Sequence, residues 1–177
     1  MLEDRREAFY HDRVSQAGPR YPGFDYLSTR ISLDLLYTYD VFHQISGRYM
    51  ADYGLSKSSL NILMLLRHGP EGGMQLHDLG ELLLVSRANI TGLIDSLQEK
   101  GWVERVVDSA DRRVRYARIT PKAEDLLDKF MPVHYDHIKV LMQDLTAEEK
   151  QTLSALLQKA RRSMTRHSKG PAFCCKG

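Results

Sequence analysis

Hydrophobic positions recur at helical spacing along most of the chain. A long pattern covers residues 26–53, where apolar side chains recur every three or four positions. The apolar face of this helix is wider than packing against one core requires. We therefore expect its remaining apolar side chains to be covered by a second contact, such as another subunit. A shorter helix is predicted within residues 1–16, because glycines and prolines between Gly18 and Gly23 separate it from the long helix.

Three shorter helices follow at close spacing. The first begins at the N-cap Ser56, after Gly54, which we expect to end the long helix as its C′ glycine. The second covers Leu76 to Leu83. The third is capped by Ser86 and ends near Gly101, and its predicted buried face consists of Ile90, Leu93, Ile94 and Leu97. Two short helices joined by a brief turn are typical of a helix-turn-helix.

After Gly101 the hydrophobic period changes from about 3.6 to 2. Residues 102–107 and 114–119 are rich in β-branched and aromatic side chains, which favour strands. They flank a charged stretch, residues 108–113, so the pattern predicts a β-hairpin with this stretch as its tip.

Two more helices are predicted after the hairpin. Thr120 and Pro121 supply a capping hydroxyl and a proline at the first helical position. Pro132 is expected to kink or split that helix. Thr146 opens a capping box for the last helix, whose narrow apolar seam extends from Leu153 to Met164.

These elements predict a mostly helical protein with a small β-hairpin wing. Residues 55–120 are the predicted winged helix-turn-helix domain, and residues 25–54 and 121–167 the predicted helical dimerisation region. Residues 1–24 are an N-terminal extension and residues 168–177 a flexible tail. We predict a homodimer, because one core of this size cannot bury both the wide apolar face of residues 26–53 and the seam from Leu153 to Met164.

Composition excludes several classes of protein. No apolar run approaches the roughly 18 residues that a membrane span needs, and the first nine residues lack the apolar segment of a secretory signal. We therefore expect a cytoplasmic protein with no membrane partner. The only cysteines, Cys174 and Cys175, are adjacent and cannot form a disulfide framework. Because no glycine-rich phosphate loop, serine elbow or internal cysteine nucleophile occurs, we predict neither enzyme activity nor a cofactor.

Positive charge is concentrated in the predicted wing. The whole chain has a net charge of +2, yet residues 111–122 carry five cations against one acid. A basic wing beside a helix-turn-helix suits double-stranded DNA, since the second helix fits the major groove and a hairpin tip can reach the backbone or minor groove. The candidate DNA contacts are Ser86, Arg87, Ala88, Asn89 and Thr91 on the helix and Arg112, Arg113 and Arg115 on the wing. We expect Asp111 to orient a neighbouring arginine.

The helical candidates suit different DNA contacts. Arg87 can bond a guanine edge and Asn89 an adenine edge, while Ala88 or Thr91 can offer a methyl group to thymine. Ser86, with the amides at the helix end, can hold a phosphate. Which of them read bases stays open, and for any one residue a solvated helix surface is the alternative interpretation.

The chain resembles the MarR family of bacterial transcription regulators over about residues 28–165. The resemblance is most specific at the wing, where Asp111, Arg113, Ile119 and Thr120 match the family pattern. It implies an obligate two-fold dimer that binds a pseudo-palindromic operator and usually represses. It also implies a ligand pocket between the dimerisation helices and the DNA-binding lobe, often for small aromatic or phenolic anions. The reactive cysteine of the family's peroxide sensors is absent near the start of the long helix.

Four polar or aromatic residues are candidates for binding a small-molecule effector: Tyr39, His43, Arg67 and His68. Polar groups at the edge of an apolar surface can orient a small aromatic anion. For His43, a hydrogen-bonded core position is the alternative.

Two alternative functions stay open. His134 and His137 lie one helical turn apart with an acid between them, a spacing that can bind zinc. A metal-responsive regulator, or a metal-dependent enzyme, would use them. The second alternative is a winged-helix interaction module that does not bind DNA.

Overall fold

The structure, a computed structural model, describes residues 5–107 and 115–167, excluding the side chain of Arg87. The predicted wing tip, with Asp111, Arg112 and Arg113, and the predicted tail lie outside these residues. The described elements are α1 (Arg5–Ala17), a 3-10 turn (Gly18–Arg20), α2 (Tyr26–Ala51), α3 (Lys57–His68), β1 (Met74–Gln75), α4 (Leu76–Leu83), α5 (Arg87–Glu99), β2 (Val103–Val107), β3 (Arg115–Ile119), α6 (Pro121–Leu141) and α7 (Ala147–His167). They confirm the mostly helical fold. Among them, no helix has the length and apolar character to span a membrane.

Side-chain caps fix where three helices begin. The Asp25 carboxylate accepts a hydrogen bond from the Ser28 amide at 2.8 Å. Hydrogen bonding to the Ser28 side chain, and then to its amide, holds the pKa of Asp25 below its usual value. Ser56 caps α3, and the Ser59 hydroxyl accepts from the Ser56 amide in return, at 2.7 Å. At α7, Thr146 and Glu149 form the predicted reciprocal box. The caps predicted at Ser56 and Thr146 are therefore confirmed.

The end of α2 differs slightly from the prediction. The helix ends at Ala51, and Asp52 is its C-cap, so Gly54 lies one residue beyond the C′ position. Gly54 has a φ of +68°, and the Leu55 amide donates to the Met50 carbonyl at 2.9 Å. Glycine is therefore required by the turn that closes back on the helix end, one residue later than expected.

The sheet contains three antiparallel strands in the order β1-β3-β2. Strands β2 and β3 form the predicted hairpin, with Val103 opposite Ile119 and Val107 opposite Arg115. Strand β1 was not predicted, because two residues are too short to show an alternating pattern. It pairs with β3 beside Gly73, whose φ is +92° and where a Cβ would collide with the Ala117 backbone.

The core of the first compact unit, residues up to Leu126, lies in the helix-turn-helix and the sheet. Its fully buried side chains include Ile62, Leu63, Leu79, Ile90 and Ile94. The predicted inward face of α5 is confirmed at Ile90, Ile94 and Leu97, while Leu93 is half-buried.

The second unit begins at Leu127. Helix α6 continues through Pro132, so the expected split does not occur. Pro132 is exposed, and water can take the place of the missing N–H there. Helix α7 has no buried residue, and Leu153, Leu156 and Met164 of its predicted seam are exposed.

Candidate nucleic-acid interface

Helix α5 presents its first turn to solvent. Ser86 caps it by accepting from the Asn89 amide at 3.3 Å. Ala88, Asn89 and Thr91 are exposed, whereas Ile90 in the same turn is buried. Ser86, Ala88, Asn89 and Thr91, which are predicted to contact DNA, are therefore all exposed on the same turn. The Arg87 side chain is not among the described parts of the structure.

The turn that leads into α5 contains a left-handed residue. Leu84 has a φ of +54° and is 93% exposed. The Val85 amide donates to the Gly80 carbonyl at 3.0 Å, and a Cβ on Gly80 would lie 3.4 Å from the Val85 oxygen. A Cβ at Gly80 would thus make only ordinary van der Waals contacts, so the bond from Val85 to Gly80, together with the left-handed Leu84, holds the turn between α4 and α5.

Arg105 on β2 ties the wing to α5. Its guanidinium lies 2.5 Å from the Asp95 carboxylate and donates to the Thr91 carbonyl at 3.5 Å. Its Nε is buried and has no hydrogen-bond partner among the described residues. The sequence analysis missed this pair, because Arg105 and Asp95 lie in different elements and only the tertiary structure brings them together.

The described part of the wing carries less free positive charge than the sequence count indicates. Arg118 forms an ion pair with Glu104 at 2.7 Å, and the Lys122 ammonium donates to the Lys100 carbonyl at 2.8 Å. Arg115 is exposed where β3 begins, beside the segment 108–114 that lies outside the described residues. Arg115 is therefore the described wing residue best placed to meet a phosphate.

The start of the wing is fastened to the end of α5. The Lys100 ammonium donates to the Gly54 carbonyl at 2.9 Å and lies 4.6 Å from the centre of the Trp102 ring. The Thr120 hydroxyl donates to the Gly101 carbonyl at 2.8 Å. The Gly54 bond holds the end of α5 against the turn after α2, while the Trp102 and Thr120 contacts hold the two ends of the hairpin beside the end of α5.

The candidate effector residues fall into two places. The Tyr39 and His43 rings stack with centroids 5.5 Å apart, and the Lys57 ammonium donates to the Tyr39 hydroxyl at 3.0 Å. Arg67 and His68 lie at the other end of α3, about 15 Å along the helix from Lys57. Lys57 was missed by the sequence analysis, because it is remote in sequence from Tyr39, which it contacts.

His68 lines a separate cavity. This cavity has a volume of about 530 Å³ and lies among α3, β1 and α4. Neither Tyr39 nor His43 lines it. The four predicted effector residues are thus not assembled around one cavity.

His134 and His137 lie in α6. The His134 ring stacks on Phe130 with centroids 5.3 Å apart, and burial, followed by the nearby His137, lowers the pKa of His134. His137 Nδ1 lies 2.8 Å from the Val133 carbonyl oxygen. Across residues 5–107 and 115–167, no three or more histidine, cysteine or acidic side chains are grouped as a metal site requires.

A helix-turn-helix followed directly by a hairpin wing defines the winged-helix class. Residues 53–114 match the family model described as MarR family. The chain is 34% identical over 116 residues to the uncharacterized HTH-type transcriptional regulator YkoM of Bacillus subtilis, covering 65% of this chain and 73% of YkoM. It is 27% identical over 147 residues to the HTH-type transcriptional repressor YetL of the same organism, covering 83% of this chain and 88% of YetL.

The fold is also similar to that of MepR from S. aureus in its complex with DNA. The TM-score is 0.70 at 20% identity, over 75% of this chain and 96% of MepR. With these similarities, the chain belongs to the MarR family. It is accordingly a transcription regulator and not an enzyme.

Proposed function

We propose that the protein is a DNA-binding repressor that holds a pseudo-palindromic operator as a homodimer and is released by a small aromatic anion. The observation that carries this proposal is the exposed first turn of α5, with Ser86, Ala88, Asn89 and Thr91, above a buried apolar face. A helix fixed in this way can enter the major groove without disturbing its own core. The relative YetL is named a transcriptional repressor, which supports repression as the proposed mode of regulation.

The proposed dimer uses the apolar side chains that the single chain leaves exposed. On α2 these include Leu27, Ile31 and Leu36, and on α7 Leu153, Leu156 and Met164. Exposed apolar rows of this extent favour a second chain as their cover. In this proposal residues 55–120 bind DNA, and residues 25–54 and 121–167 form the dimer. A two-fold dimer would place its recognition helices about 34 Å apart, one turn of DNA.

Release would follow from a shift between dimer conformations. The stacked Tyr39 and His43 rings, with Lys57 beside them, combine a flat apolar surface with a cation. Such a combination suits an aromatic carboxylate. The ligand must favour a dimer whose recognition helices no longer match the two half-sites.

Fluorescence anisotropy against the DNA upstream of the protein's own gene tests the proposal. We expect saturable binding whose affinity falls steeply with salt, because phosphate contacts release counterions. Benzoate should weaken this binding, and Lys57→Gln should reduce the effect of benzoate. A flat salt dependence would instead favour an interaction module without DNA binding. Loss of DNA affinity on adding zinc, with no effect of benzoate, would favour the metal-responsive alternative.

Two asparagine variants separate base reading from fold. Asn89→Ala should relax discrimination at one base pair by roughly 1–3 kcal/mol. Asn61→Ala, the same change at an exposed position on α3, should leave discrimination unchanged. If both variants discriminate as the wild type does, Asn89 does not read a base.

Wing variants test the role of the hairpin. Arg113→Ala should weaken binding to all sequences and reduce the salt slope by about one charge per subunit. Asp111→Ala should weaken binding if Asp111 orients an arginine, although removing an acid raises the local positive charge. Tighter binding by Asp111→Ala would overturn the orienting role. Unchanged binding by both Arg112→Ala and Arg113→Ala would remove the wing tip from the interface.

A further inference from the structure

A cavity of about 140 Å³ lies between α1 and the first part of α2. Every residue that lines it belongs to one of these two helices, so it is separate from α5 and from the Tyr39–His43 pair. We propose that this cavity binds a small neutral molecule consisting of one aromatic ring with a hydroxyl group. The proposal assigns a ligand site to the N-terminal extension, independently of DNA binding.

Specific contacts hold α1 against α2. Arg6 forms an ion pair with Asp40 at 2.9 Å, and its guanidinium lies 4.4 Å from the centre of the Tyr37 ring. His11 Nε2 and the Tyr26 hydroxyl are 2.7 Å apart. The early residue of α1 thus contacts the middle of α2, and the later residue contacts its start. The two helices are therefore antiparallel, and the cavity between them has a defined shape.

The size and walls of the cavity fit one aromatic ring. An engineered protein cavity of about 150 Å³ with apolar walls binds benzene. Here the rings of Tyr10, Tyr26 and Tyr37 and the aliphatic side chains of Val14 and Leu33 contribute to the walls. Aromatic walls favour offset or edge-on contact with an aromatic ligand.

The charges around the cavity favour a neutral ligand. Arg6 and Arg30 are balanced by Glu7 and Asp34 in the lining, and Arg30 lies 3.7 Å from Asp34. A bound carboxylate would lose water without gaining the attraction of a surplus cation. A hydroxyl group can instead bond to the Tyr26 hydroxyl, which can both donate and accept and so can serve a ligand while paired with His11. This charge balance distinguishes the cavity from the site beside Lys57.

Calorimetric titration of the full chain with phenol and with benzoate near pH 7 tests the proposal. Phenol is neutral there, since its pKa resembles that of tyrosine, about 10. We expect phenol to bind saturably with a Kd of about 1 mM or tighter. No saturable binding at about 10 mM phenol, ten times that Kd, would overturn the proposal.

Two tryptophan variants on the same helix locate the site. Leu33→Trp fills the cavity and should weaken phenol binding at least tenfold. Gln44→Trp places the same side chain at an exposed position of α2 that lies outside the lining and outside the proposed dimer surface, so phenol binding should persist. Equal phenol binding by the two variants would overturn the location. Benzoate binding as tight as that of phenol and equally sensitive to Leu33→Trp would overturn the neutral class.

Tyr26→Phe provides a test that does not depend on filling the cavity. It removes one hydroxyl and keeps the ring, so it should weaken phenol binding several-fold and leave toluene binding unchanged. If Leu33→Trp fails to fold, as judged by circular dichroism, this variant decides. Unchanged phenol affinity in Tyr26→Phe would contradict the proposed hydroxyl contact and with it the ligand class.

Discussion

The apolar rows of α5 and α7 are about equally regular in sequence, but the single chain buries only one of them. On α5, Ile90 is 1% and Ile94 0% exposed, whereas on α7 Leu156 is 58% and Met164 55% exposed. Helix α5 contacts α3, α4 and β2 in the same chain. The winged-helix region therefore supplies its own partners, whereas Leu156 and Met164 of α7 stay exposed in the described part of the second unit.

Helix α2 is buried at one end and exposed at the other. Near its end Tyr49 and Met50 are buried, while near its start Leu27 and Ile31 are exposed. Periodicity alone identifies an apolar face but does not say which surface covers it. The winged-helix region is therefore stabilised within one chain, whereas the exposed rows would contribute to stability only in the proposed dimer.

The largest expected effect is in the winged-helix core. Leu63→Ala removes a fully buried side chain and should lower the free energy of unfolding by about 2–5 kcal/mol. Leu156→Ala is the matched change on α7, and in dilute protein it should cost less than about 0.5 kcal/mol. Urea denaturation measures both. Similar losses in dilute protein would show that α7 is buried within the single chain.

The next largest change is expected in the dissociation constant of the proposed dimer. Leu156→Glu would place a charge in the proposed dimer surface and should raise the dimer Kd about 100-fold or more. Gln151→Glu adds an acidic group at an exposed position of the same helix and should have little effect. Light scattering should give twice the chain mass of 20.3 kDa for the wild type. A folded wild-type monomer at micromolar concentration would refute the dimer.

Local chemistry made much of the fold predictable. The caps at Ser56, Ser86 and Thr146 bond to amides only three residues away, so sequence alone contains the information. The hairpin followed from alternation over five-residue strands. The split expected at Pro132 was wrong, because helix continuity there depends on its exposed position, which a sequence pattern does not contain.

The less predictable features join residues from different elements. The bond of Arg105 to Asp95 and that of Lys57 to Tyr39 require the tertiary fold, and no spacing rule connects them. The exposed turn of α5 was predictable because the buried positions of a helix identify its free ones. The same reasoning does not reveal which distant side chain fixes that helix in place.

A smaller change in stability is expected at the Arg105–Asp95 ion pair, which joins β2 to α5. The Arg105 side chain is 22% exposed in its pair with Asp95, whereas that of Arg118 is 49% exposed in its pair with Glu104. Arg105→Met should therefore lower the free energy of unfolding by about 1–2 kcal/mol. Arg118→Met should cost less than about 0.5 kcal/mol. Urea denaturation compares the two, and a larger loss in Arg118→Met would contradict the anchoring role of Arg105.

The smallest expected effect is a pH dependence from α6. Burial lowers the pKa of His134 below the 6.5 of the unfolded chain, and His137 lowers it further. The unfolded state therefore binds more protons as pH falls below 6.5, so stability should decrease through that range until His134 is protonated in the folded state as well. His134→Asn should flatten the dependence of Tm on pH there, whereas His167→Asn, at an exposed position of α7, should leave it unchanged. An unaltered slope in His134→Asn would mean that protonation costs this half-buried ring no more in the folded chain than in water.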